Sequence, residues 1–171
     1  MKMHVEIKIL VLRAASRGAG VGALVLALLA VGCAPKLRIK TAPTFADVTK
    51  LAGGDYLYRA TSADGVVVAV RREPREPGDA SEAFWTEALQ THFRQHGGYA
   101  LIEKKQVRLG GSGLGPLLRF GRDQAGAPYL YELGLVLTKD WIYLCEVGGR
   151  QATVEQHRKA IDSMLASVSL P

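Results

Sequence analysis

The chain has 171 residues, 48% of them hydrophobic, and a formal charge of +6. Lys2, Lys8, Arg13 and Arg17 against Glu6 place about half of that excess before Cys33, and the remainder is too dilute for nucleic acid, which needs a concentrated basic face. Two cysteines without a Cys-x-x-Cys spacing exclude a disulfide framework and a cysteine-based zinc site.

Residues 1–17 are basic, residues 18–32 are uncharged and apolar, and Cys33-Ala34-Pro35 follows at once. This layout predicts a secretory signal. As a helix the apolar run rises only about 22 Å, short of the roughly 30 Å hydrocarbon core, which argues against a permanent span. The stretch Leu28-Leu29-Ala30-Val31-Gly32-Cys33 resembles the lipobox of bacterial lipoproteins. That resemblance implies removal of residues 1–32, acylation of Cys33 and anchorage in the cell envelope. Ala34, where an aspartate signals inner-membrane retention in enteric bacteria, favours the outer membrane. No cofactor is expected beyond the covalent lipid on Cys33.

Residues 33–54 mix prolines, lysines and isolated apolar residues without sustained periodicity, and predict a flexible tether with one helical turn near Asp47. A single domain then spans 55–171. Asp55 to Thr61 and Val66 to Arg72 read as strands around an Asp64-Gly65 turn, a hairpin signature. Asp79 or Ser81 is placed to cap a helix reaching His96, with Trp85, Leu89, His92, Phe93 and His96 on one stripe and Gly97-Gly98 as its stop. Strands are predicted at Tyr99 to Arg108, Leu114 to Arg122, Pro128 to Thr138 and Trp141 to Val147. In the last helix Thr153 and Gln156 have capping-box spacing, and His157, Ile161, Met164, Leu165 and Val168 form the apolar face.

A two-residue loop at Lys139-Asp140 pairs Thr138 with Trp141, Val136 with Tyr143 and Gly134 with Cys145. Both faces of that hairpin are then apolar, so both need cover. The fold class is α+β: an antiparallel sheet of about six strands sandwiched by helices, in the order ββαββββα. This order, with Gly98-Tyr99 after the first helix and an aromatic hairpin before the last, resembles the PsbP-like fold over residues 55–168. The resemblance implies an accessory or binding domain rather than an enzyme.

The residues that invite a chemical reading each fall short of one. His92 and His96 stand four apart on one helix but lack a third ligand, and Phe93 occupies the place of a metalloprotease glutamate. In Gly110-Gly111-Ser112-Gly113-Leu114-Gly115, Pro116 and Leu117 replace the Lys and Ser/Thr of a phosphate loop, and Leu114 breaks a nucleophile elbow, so a flexible strand connection is expected. Glu132 and Glu146 fall on opposite hairpin faces and cannot share a substrate, which leaves Glu132 at an edge or paired with an arginine. Cys145 reads as a small buried hydrophobe. No catalytic and no metal-ligating residue is assigned.

Arg71, Arg72 and Arg75, with Lys104, Lys105 and Arg108, merge into one basic patch for anionic lipid or an acidic partner if their strands are neighbours. Trp85, Trp141 and Tyr143 can line a cleft between sheet and helices, the basis of an alternative small-ligand or lipid-binding reading. The favoured expectation is a non-enzymatic envelope lipoprotein, held to the membrane by its lipid and bound to an envelope protein.

Overall fold

The computed structural model describes residues 36–76, 78 and 80–171. The expected signal peptide, the lipobox-like stretch and Cys33 lie outside the described residues. The domain alternates strands β1 (Phe45–Asp47), β2 (Tyr56–Ser62), β3 (Val67–Pro74), β4 (Ala100–Arg108), β5 (Leu114–Gln124), β6 (Ala127–Leu137) and β7 (Trp141–Arg150) with four helices. These helices are α1 (Thr49–Ala52), α2 (Glu82–Gly97), α3 (Gln151–Gln156) and α4 (Arg158–Ala166). The strands form one antiparallel sheet in the order β1-β2-β3-β7-β6-β5-β4. The α+β class holds, with seven strands instead of six.

The seventh strand comes from the segment expected to be a loose tether. Phe45 is buried in the core, and β1 pairs with β2 from Phe45↔Ser62 to Asp47↔Ala60. Further upstream, Arg38 exchanges two backbone hydrogen bonds with Ser169, while Leu37 and Ile39 pack against the core. The tether of 33–54 is therefore corrected: from Lys36 onward it belongs to the domain, because its apolar residues bury surface that a leash would leave in water.

Elsewhere local chemistry sets the elements. Ser81 caps α2 by accepting from the Phe84 N–H, and Gly98 ends the helix in a left-handed conformation. The β6/β7 register is the expected one, with Gly134↔Cys145 and Val136↔Tyr143. The capping box at Thr153 does not form: α3 already begins at Gln151 without a side-chain cap, and Thr153 lies inside it. A break at His157 separates α3 from α4.

Each sheet face has its own cover. Tyr58, Val68, Val70, Tyr143, Cys145 and Val147 form a core with Val154, Ile161, Met164 and Leu165, which is the α4 face. On the opposite, α2 face, the Phe93 ring stacks on Phe120 and Tyr131, with centroids 5.0 Å away in each case. The buried side of α2 is Thr86, Leu89 and Phe93 rather than the full expected stripe, since His92 is half-buried and His96 exposed.

Candidate functional site

The expected basic patch is dispersed by the topology. Strands β7, β6 and β5 lie between β3 and β4, so the two clusters stand about 19 Å apart. Within the first cluster the side chains also diverge. Arg71 and Arg72 project to opposite faces, Arg71 pairing with Glu146 and Arg72 lying 3.8 Å above the centre of the Trp141 ring. Arg75 donates to the Thr138 carbonyl at 2.8 Å. On the edge strand, Lys104 and Arg108 are exposed and Lys105 reaches Glu103 at 3.3 Å. These six cations do not form one surface.

The aromatic cleft is likewise corrected. Tyr143 is 1% exposed inside the α4-face core, and Trp141 lies on that same face under Arg72. Trp85 is on α2, across the sheet. Strand alternation and helix placement therefore put Trp85 in one layer and the two hairpin rings in another, so the three cannot line one cleft. A groove of about 450 Å³ does run along α2, but it is lined by Phe84, Glu87, Ala88, Thr91, His92, Gln95 and His96. The two histidine rings stack there, 4.8 Å apart, and burial, with the His96 charge next, lowers the His92 pKa. Among the described residues no three His, Cys, Asp or Glu side chains converge as metal ligands do.

The glycine run is pinned rather than flexible. Gly110–Ser112 makes a 3₁₀ turn, and the Gly111 N–H donates to the Val168 carbonyl. Gly110 adopts a φ of +65°, and a Cβ there would meet the Val168 oxygen at 1.6 Å, so only glycine fits.

The polar centre of the domain is Glu132, whose expected pairing with an arginine forms while the alternative edge position does not. Glu132, in the sheet interior rather than at an edge, is 1% exposed. Arg158 grips it bidentately, with Nη2 to Oε1 at 2.8 Å and Nη1 to Oε2 at 3.0 Å. Arg119 Nε lies 3.0 Å from Oε1, though without the alignment of a hydrogen bond, and Arg119 also reaches Glu155. Burial opposes the charge on Arg158, but Glu132 and then Asp162 outweigh it and its pKa is raised. With both oxygens taken and no opening to solvent, Glu132 ties α4 to β6 and β5; it does not present a base to a substrate. Glu146, paired with Arg71, faces the other side, as the register required.

Ser62, Asp64 and His157 are the nearest approach to a nucleophile triad, but in the wrong order. Ser62 Oγ donates to Asp64 and accepts from the Val66 N–H, while His157 Nε2 lies 3.0 Å from the same carboxylate. The serine bond, then the histidine, hold Asp64 below the usual carboxylate range. The carboxylate stands between hydroxyl and imidazole, so no base activates the hydroxyl. Burial pushes the Cys145 thiol up to about 12, which keeps it an unreactive thiol.

No family model and no curated protein matches the chain. Among solved structures, it is similar to LpqN of Mycobacterium tuberculosis, described as involved in cell envelope biogenesis, with a TM-score of 0.61 at 8% identity, covering 78% of this chain and 82% of that one. PA94, a Pseudomonas aeruginosa protein of unknown function, gives a TM-score of 0.49 at 14% identity over 82% and 87% of the two chains. The cyanobacterial PsbP of Synechocystis gives 0.48 at 11% identity over 85% and 99%. The likeness to LpqN shows a shared α+β fold; the two lower scores add no weight to it.

Proposed function

We propose that the chain is a lipid-anchored protein of the bacterial cell envelope, acylated at Cys33 and favouring the outer membrane. Its α+β domain acts as a non-enzymatic module that binds an envelope protein. The observation that carries this reading is the position of Cys33. It closes an apolar run, and only Ala34 and Pro35 separate it from Lys36, the first described residue of the folded domain. A domain attached this closely works at the membrane surface. The fold shared with LpqN, itself involved in cell envelope biogenesis, supports the same setting. The non-enzymatic part is supported by the engagement of Glu132 and Glu146 in ion pairs on opposite faces and by the burial of Cys145.

The test is metabolic labelling with an alkyne fatty acid in cells making the wild type or Cys33→Ser. The wild type should carry the label and sediment with membranes, whereas the variant should lose both properties while keeping its melting temperature. An unlabelled wild type sinks the anchor. Crosslinking in intact envelopes should then recover one protein reproducibly from the wild type, and background alone would refute the binding role.

A further inference from the structure

The segment Lys36–Lys40 alternates strictly. Lys36, Arg38 and Lys40 are exposed, while Leu37 and Ile39 pack against the core. Both strands of contact hold it in place: Arg38 exchanges hydrogen bonds of 3.0 and 2.8 Å with Ser169, and the Lys40 N–H donates to Ser167 Oγ at 2.9 Å. In such an extended segment the three cations stand about 7 Å apart along one outward line. None of the three has an ion pair among the described residues.

We infer that this basic rib seats the domain on the anionic headgroup layer of the membrane that holds its lipid. The proposal rests on acylation of Cys33. Ala34 and Pro35 alone separate Cys33 from Lys36, so three Cα–Cα steps set a maximum reach of about 11 Å. That maximum is of the order of the Debye length, about 8 Å at physiological ionic strength, so the anchor brings Lys36 to the surface potential, and the rib lying along the surface brings Arg38 and Lys40 into it. Each cation near an anionic surface strengthens attachment by about fivefold, and three together by about a hundredfold. The rib is already ordered by its contacts with Ser167, Ser169 and the core, so little conformational freedom is lost on docking. An anionic lipid surface is the occupant because it is the charged surface nearest the anchor and the rib is uniformly positive.

Lysine footprinting tests this on the full lipidated chain, reconstituted in vesicles of phosphatidylcholine alone or with equimolar phosphatidylglycerol. Acetylation of Lys36 and Lys40 should fall about fivefold in the anionic vesicles relative to Lys104 and Lys139 on the same chain, and high salt should restore it. Equal labelling in the two vesicle types, with the acyl group intact on the N-terminal peptide, overturns the rib and leaves the anchor standing. An unmodified Cys33 in that peptide overturns the anchor and the rib with it. Protection seen only in native envelopes, and never in lipid alone, gives the rib to a protein and refutes the lipid assignment.

Discussion

On the α2 face, Phe93 holds its helix by ring contacts with Phe120, Tyr131 and Tyr99, whereas on the α4 face the helix itself brings only aliphatic side chains and Met164 to a mixed core and is joined to the sheet by a buried carboxylate between two guanidiniums. Apolar contact is non-directional and tolerates small shifts of a helix over its sheet. A bidentate carboxylate clamp does not, since both oxygens must meet the fork at once. The α2 face is thus held by contact area, and α4 is additionally aligned by chemistry. Tyr131 lies beneath Phe93, and one residue later Glu132 projects through to Arg158, so a single stretch of β6 serves both modes.

The largest effect should come from emptying the ring cluster under α2. Phe93→Ala removes a fully buried ring packed against Tyr99, Phe120 and Tyr131, and thermal or urea unfolding should show a loss of about 4 kcal/mol. Glu132→Ala follows with a loss of about 3 kcal/mol, at the low end for a broken buried pair because Arg119 and Arg158 retain some access to solvent. The two faces then separate by rescue. Glu132→Met combined with Arg158→Met should recover most of that loss, because the apolar pair removes the Arg158 charge while Arg119 keeps Glu155 as its partner. A double variant no more stable than Glu132→Ala would show that the clamp stabilises by more than mutual neutralisation. The smallest effect belongs to Arg72→Ala, which removes a partly exposed guanidinium from the Trp141 ring and should cost about 0.5–1 kcal/mol.

Much of this architecture was legible because its signals are local. The two-residue loop at Lys139-Asp140 and the flanking apolar residues fixed the β6/β7 register, and Ser81 and Gly98 bounded α2. What was not legible depends on distance along the chain. Glu132 finds Arg158 across 26 residues, and no periodicity of either segment encodes that meeting. The basic clusters looked mergeable because strand order is not written in strand pattern: three strands came to lie between them. At the N-terminus a signal did exist. Lys36-Leu37-Arg38-Ile39-Lys40 alternates as a strand does, but five residues beside two prolines resemble a linker, and β1 is only three residues long. Thr153 had capping-box spacing, yet the continuation of β7 to Arg150 starts the helix early and leaves that threonine inside it.

The pairing of Arg38 with Ser169 bears on the order in which the chain can acquire its structure. Arg38 and Ser169 lie at opposite ends of the described domain, so closing this contact brings together nearly its whole length and belongs to the slow, non-local class of folding events. During synthesis, residues 36–40 have nothing to pair with until residues 167–169 emerge. The segment therefore docks only after both ends of the domain are present, and it closes the sheet's α4 side as a late latch rather than an early nucleus.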